Sequence, residues 1–242
     1  MIQTVADTYV MILAAGKGER MQPLTHSVPK PLLELAGVSL LERHLHSLAK
    51  MGFRQVVINV AHLAKQIIEK IGDGHTYNLN IQYSDESSSG ALETAGGLRN
   101  AIDLIESDFF VCINADIFTD YPFNSILNNK LNKLQKAHLV LVDNPSHNKK
   151  GDFVLSESGL LEASKNPDSS FNSKQAGKLT FSGISLWDSQ FISTLPTGKQ
   201  ALAPVLNQLI SAKQVSAEHY QGIWHDIGTP ERLDQLNRQL KK

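Results

Sequence analysis

The sequence predicts an α/β fold: a mixed, mostly parallel sheet flanked by helices, in one domain over residues 1–242. Three observations point there. Short apolar runs alternate with helix-period segments through the first half, a succession that builds parallel sheets with right-handed crossovers. From 137 onward the pattern turns strand-rich, which suits a mixed or antiparallel addition. No linker or internal repeat divides the chain.

TYVMILAA (8–15) is a continuous apolar run, as expected of a strand buried on both faces. Ser39 and Glu42 have capping-box spacing, and Leu41, Leu45 and Leu48 follow at helical intervals up to Gly52. RQVVINV (54–60) is strand-like, HLAKQIIEKI (62–71) returns to helix, and LNIQYS (79–84) reads as a third strand. Leu98, Ala101, Ile102 and Ile105 mark another helix before FFVCINA (109–115), a further buried strand. AHLVLVD, GDFVLS and KLTFSGISLW supply the later strands. In the last helix Thr229 is the cap, Pro230 opens the first turn, and Leu233, Leu236 and Leu240 form the apolar stripe.

Composition excludes several classes. A net charge of −1 gives no basic face for nucleic acid. Cys112 is the sole cysteine, so internal disulfides and cysteine-based zinc sites are ruled out. It sits inside an apolar run and reads as a small core residue. No apolar stretch is long enough for a membrane span, and the N-terminus lacks the layout of a secretion signal, so the cytoplasm is expected. His44 and His46 lack zinc spacing and read as structural or exposed, and Trp187 and Trp224 read as core. Nothing in the pattern calls for an oligomer, so a monomer is expected.

Ligands in parallel sheets sit beyond the carboxyl ends of the strands, where the loop 16–31 and Asp116 fall. The loop matches neither common phosphate pattern. Met21 stands where a dinucleotide fingerprint needs its third glycine, and Glu19 follows Gly18 where a P-loop needs lysine. Gly16 and Gly18 still let backbone N–H groups approach a ligand. Arg20 offers a planar fork of donors for phosphate oxygens. Lys30, between Pro29 and Pro31, is expected on a stiff extended segment, where less ordering entropy is lost on meeting an anion. Sixteen residues without an element is long for a solvated connection, and such loops are usually functional.

LAAGKGERMQPLTHSVPKPL (13–32) resembles the signature of the sugar-1-phosphate nucleotidyltransferases, L-A-A-G-x-G-x-R-x-x-P-L-T-x-x-x-P-K-P, at every defining position. The likeness runs over nearly the whole chain. It implies the Rossmann-like nucleotide-diphospho-sugar transferase fold, with a nucleotide-binding half over about 8–136 and a sugar-binding half over about 137–242. It also implies that a nucleoside triphosphate and a sugar 1-phosphate react to an NDP-sugar and pyrophosphate. On that analogy Arg20 holds the triphosphate tail, Lys30 neutralises the reacting phosphates, Ala14 and Ala15 line the base, and Gly16 and Gly18 wrap the phosphates.

Read alone, Asp116 and Asp226 each fit either a metal ligand or a turn cap. Together they resemble the family's Mg²⁺ pair, with Ala115 where relatives commonly have glycine. LETAGGL (92–98) resembles the element that touches base and ribose, giving Thr94 and Gly96. GDF and FSGI resemble the sugar-contacting segments, giving Gly151, Ser182 and Gly183. In place of the Glu-Lys-Pro motif of many relatives stands LEASKNP, with Lys165 as the nearest equivalent. No hexapeptide β-helix of the kind many relatives add after the last helix is expected, since the sequence shows no such repeat. The segments NVAHLAKQI, LETAGG, NADIFTDYPF and FSGI look most similar to the N-acetylmuramate α-1-phosphate uridylyltransferases. Mannose-1-phosphate guanylyltransferases, phosphocholine cytidylyltransferases and an inactive sensing subunit stay open as alternatives.

Overall fold

The computed structural model describes residues 4–129, 131, 134–162 and 177–241. Its core is a seven-stranded sheet made of β1 (Tyr9–Leu13), β2 (Gln55–Val60), β3 (Asn80–Asp85), β4 (Phe109–Asn114), β5 (Ala137–Val142), β6 (Thr180–Asp188) and β7 (Val215–Tyr220). The strand order is β7-β5-β6-β4-β1-β2-β3. β1, β2, β3 and β4 run parallel, β6 is antiparallel to both β4 and β5, and β7 is parallel to β5. The sheet is thus mixed and mostly parallel, as the alternation in the first half requires.

Helices cover both faces. The helices α1 (Leu40–Lys50), α2 (Ala64–Ile71), α3 (Glu93–Ala101), α4 (Ser189–Ser193), α5 (Leu202–Ser211) and α6 (Pro230–Leu240) follow in chain order. Strand alternation sorts the core. Val10 and Ile12 of β1 pack with Leu41, Leu45 and Leu48 of α1 and Ile67 of α2. Met11 packs on the other face with Leu98 of α3, Leu206 and Leu209 of α5, and Trp187. That double burial explains why TYVMILAA has no polar alternation.

The capping box forms as expected: Glu42 N–H donates to Ser39 Oγ at 3.2 Å, while the Glu42 carboxylate accepts from the Ser39 N–H and hydroxyl. Thr229 caps α6, accepting from Arg232 N–H. Leu233 and Leu236 are buried, but Leu240 is exposed, so the predicted stripe ends a turn early. α3 begins at Glu93, which places Thr94 in its first turn. One further reading is corrected. The loop after β1 is not free of structure: it winds through three 3-10 turns, Glu19–Met21, Leu24–His26 and Lys30–Leu32. Lys165 lies outside the described residues.

Among the described residues no helix is long and apolar enough to cross a membrane. The strand order reverses between β1 and β4, the switch point at which doubly wound sheets bind ligands.

Candidate active site

The loop after β1 is drawn into a tight cradle by its own side chains. Gly18 has φ 64°, and a methyl group there would lie 2.9 Å from Thr25 Cγ2 and 3.1 Å from Lys30 Cβ. Only glycine lets the first and third turns close on each other. The Thr25 hydroxyl donates to Gly18 O at 2.8 Å, and Gln66 of α2 donates to Ser27 O at 3.0 Å. Met21 is fully buried with Leu33, Leu35, Ile227 and Leu233, which anchors the cradle to α6.

Lys30 opens the third turn, where an extended segment was expected. Pro29 is extended with ψ 141°, and Pro31 occupies the second position of the turn, where no N–H is needed. The turn aims the ammonium at Asp116, 2.5 Å from Oδ2, with the side chains 12% and 31% exposed. Asp116 follows β4 and leads into a short strand, Ile117–Thr119, paired antiparallel with Trp224–Asp226. Ile227 N–H donates to Asp116 O at 2.8 Å, so the two aspartate-bearing segments share one backbone ladder.

Asp226 is clamped from a different side. Its Oδ1 accepts from the Arg232 guanidinium of α6, and His147 Nε2 lies 2.8 Å away. His147 Nε2 is also 3.0 Å from the guanidinium. A methyl group on Gly228 would sit 2.5 Å from Arg232 Nη2, so this glycine gives the guanidinium its place.

A cleft of about 930 Å³ opens above these groups. Ala14, Ala15, Gly16, Gly18, Arg20, Lys30, Thr94 and Asp116 all line it. Eight residues singled out from sequence therefore meet in one cavity. Arg20 and Lys17 are exposed where they line it, as is Lys199, which lies 3.4 Å from Glu93.

The remaining predicted residues lie elsewhere. Gly96, expected to touch the nucleotide, does not line the cleft: it is buried where a methyl group would be 2.3 Å from Gly198 O. Asp226 itself is not a lining residue, although Gly228 is. Ser182 and Gly183 form a bulge in β6. Gly183 has φ 83°, and a methyl group there would meet Asn114 Nδ2 at 2.7 Å, so the bulge makes room for a side chain that does line the cleft. Gly151, with φ 62°, packs against Asn144 and Lys178.

Sequence reasoning missed Asn59, Glu86, Asn114, His147 and Arg232. Asn59 and Asn114 did carry a signal: each is a polar residue at the carboxyl end of a buried apolar strand. His44 is buried with Nε2 unpartnered, and burial holds its pKa down at about 4 against the opposing pull of Asp116. His46 packs edge-on against Tyr77, with ring centroids 5.2 Å apart.

Mg²⁺ takes oxygen ligands, with one or two carboxylates completed by substrate phosphates and water. Among the described residues no group of three or more acidic, histidine or cysteine side chains gathers to hold a metal unaided. Asp116 uses Oδ2 for Lys30, and Asp226 uses Oδ1 for Arg232, which leaves one oxygen on each. Two carboxylates, each with an oxygen to spare, are a donor set whose chemistry fits a hard cation.

A switch-point cleft with a basic glycine cradle and a Lys–Asp pair at its floor defines a nucleotide-handling α/β enzyme. The chain belongs to the nucleotidyl transferase family, whose model matches residues 9–242. It is 42% identical to the N-acetylmuramate alpha-1-phosphate uridylyltransferase of Neisseria meningitidis serogroup B, over 92% of this chain and 94% of that one. It is 30% identical to the mannose-1-phosphate guanylyltransferase catalytic subunit beta of Danio rerio, over 91% of this chain but only 61% of the relative. A putative glucose-1-phosphate thymidylyltransferase from Bacillus anthracis shares the fold, with TM-score 0.80, 18% identity, and coverage of 97% of this chain and 96% of that one. So does HddC from Yersinia pseudotuberculosis, with TM-score 0.78, 20% identity, and coverage of 96% and 99%.

Proposed function

We propose that this nucleotidyltransferase converts UTP and N-acetylmuramate α-1-phosphate to UDP-N-acetylmuramate and pyrophosphate, in the recycling of cell-wall sugar. The observation that carries the substrate assignment is the 42% identity to the Neisseria uridylyltransferase, which extends nearly end to end in both chains. The guanylyltransferase likeness is lower and leaves over a third of that relative unmatched.

The nucleotide enters with its base against Ala14, Ala15 and Thr94 and its phosphates over Gly16 and Gly18. Arg20 binds the β- and γ-phosphates, where its forked donors can engage two oxygens. The sugar phosphate approaches from the side of Gly151, Ser182 and Gly183. One of its oxygens forms a bond to the α-phosphorus as the bond to the bridging α–β oxygen breaks in line, and pyrophosphate leaves with the electron pair. Such transfers depend on positioning and on neutralising charge at the reacting phosphate. Lys30, held 2.5 Å from Asp116, is aimed by that pairing and supplies a fixed positive charge beside the α-phosphate. Mg²⁺, when held by Asp116 and Asp226, adds charge neutralisation across the phosphates. The enzyme works as a monomer in the cytoplasm, where the UTP pool lies.

A pyrophosphate-release matrix tests the reading: UTP, dTTP, GTP and CTP against several sugar 1-phosphates, with and without Mg²⁺. The expected maximum is UTP with N-acetylmuramate 1-phosphate, dependent on Mg²⁺. Turnover of GTP with mannose 1-phosphate, and none of UTP with the muramate substrate, overturns it.

A further inference from the structure

We propose that Asn59 and Glu86 are positioning residues that lock the base-facing wall of the cleft to the phosphate cradle, and so set nucleotide affinity. The proposal rests on the nucleotide-binding reading of this cleft and adds two residues to it.

Both are almost wholly buried, Asn59 at 3% and Glu86 at 1% exposure, yet both reach the cleft. They join three segments that are distant in sequence. Ala14 N–H, at the start of the cradle, donates to Asn59 Oδ1 at 2.7 Å. This donor fixes the amide orientation and turns Nδ2 toward Glu86 Oε1, 2.8 Å away. Glu86 Oε2 accepts from Leu92 N–H at 2.9 Å. The Glu86 backbone N–H in turn donates to Val60 O at 2.7 Å.

Glu86 therefore closes the loop 86–92 on itself, gripping its start through the backbone and its end through the carboxylate. That loop presents Ser89, Gly90 and Ala91 to the cleft, opposite Ala14 and Ala15. Gly97 of α3 completes the arrangement, since a methyl group there would lie 2.9 Å from Asn59 Nδ2 and 3.0 Å from Glu86 Oε1. A polar chain this deep is stable only when every donor meets an acceptor.

The chain has a fixed polarity, and that makes it testable. Both Glu86 oxygens face N–H donors. In Glu86→Gln one of them becomes an NH₂ group, which must face either Leu92 N–H or the Asn59 amide NH₂. Rotating the Asn59 amide only moves the conflict to Ala14 N–H. In Asn59→Asp two carboxylates face each other. The double substitution Asn59→Asp with Glu86→Gln restores the order at unchanged net charge. The new carboxylate accepts from Ala14 N–H and from the new amide NH₂, whose oxygen accepts from Leu92 N–H.

The experiment is calorimetric titration of each variant with UTP, alongside its thermal midpoint and its KM for the sugar phosphate. Each single substitution is expected to weaken UTP binding at least ~10-fold, with little change in the KM for the sugar phosphate. The double variant is expected to return UTP affinity to within about 3-fold of wild type. Single variants that bind UTP like wild type overturn the proposal, whatever their thermal midpoints. A double variant that fails to fold, or that folds and binds no better than the weaker single, also overturns it. If either single variant fails to fold, the double decides alone. Wild-type protein that binds UTP but turns over no sugar phosphate removes the substrate assignment and leaves this test intact.

Discussion

Replacing Gly96 with alanine separates two roles for that residue, a ligand contact and a packing contact. The new methyl group would sit 2.3 Å from Gly198 O and 3.0 Å from Gln200 N. A relaxed carbon–oxygen contact is about 3.3–3.6 Å, so α3 and the segment 198–200 must part by about 1 Å. Two backbone hydrogen bonds join them there: Gly96 N–H to Gln200 O at 3.1 Å and Gln200 N–H to Leu92 O at 2.9 Å. Both stretch past useful length. Losing them costs about 2–4 kcal/mol, and alanine returns about 1 kcal/mol through its helix propensity. The net destabilisation is about 2 kcal/mol, which in a chain of this size lowers Tm by about 4–8 °C. Thermal and urea unfolding read the stability, and initial rates read the KM for UTP. A variant with wild-type Tm and a raised KM for UTP refutes the packing account.

Three further substitutions or treatments have defined outcomes. Lys30→Ala removes the charge beside Asp116 and should lower kcat at least ~10²-fold; near-normal turnover takes Lys30 out of the chemistry. His44 has a pKa held at about 4 by burial, below the unfolded value of about 6.5, so the unfolded chain takes up the proton first. Its contribution to stability is whole above about pH 6.5 and is lost progressively toward pH 4, by up to ~3 kcal/mol. Denaturant titrations should show that acid limb, and His44→Gln should flatten it; an identical limb in the variant refutes the assignment. Cys112 is buried, and burial pushes its thiol up to about 12. A thiol reagent should leave the native protein unmodified and label one site after unfolding, whereas native labelling contradicts the burial.

The fold was legible where local signals agree with tertiary demands. β1, β2 and β4 are apolar because both faces are covered, and the Ser39 box and Thr229 cap are complete within a few residues. α5 escaped detection for a local reason: Pro204 reads as a breaker, yet it sits in the first turn, where its missing N–H removes no helical bond. β7 escaped because VSAEHY is a polar edge strand that gains its place by pairing with β5. Lys30 was expected in extended backbone because its two flanking prolines disfavour an α-helix. They tolerate a 3-10 turn, however, since the proline at its second position has no bond to lose.

Eight of the residues singled out from sequence line one cleft, but their partners were illegible. The resemblance to the family signature names Gly16, Gly18, Arg20 and Lys30, but the carboxylate that aims Lys30 lies 86 residues away. The two become neighbours because β4 inserts beside β1, so that the loop after one strand and the aspartate after the other leave the sheet at the same edge. Asp226 reaches that edge through the short ladder with Ile117–Thr119, and only then does Arg232, on the first turn of α6, come within reach. Each aspartate thus has a protein cation already beside it, Asp116 at the cleft and Asp226 outside its lining. Lys30 and Asp116 offset each other's charge, whereas Arg20 and Lys17 line the cleft without an ion pair among the described residues. Arg20 and Lys17 are therefore the cations the cleft keeps unpaired for an anionic ligand, whereas Lys30 comes with its own carboxylate.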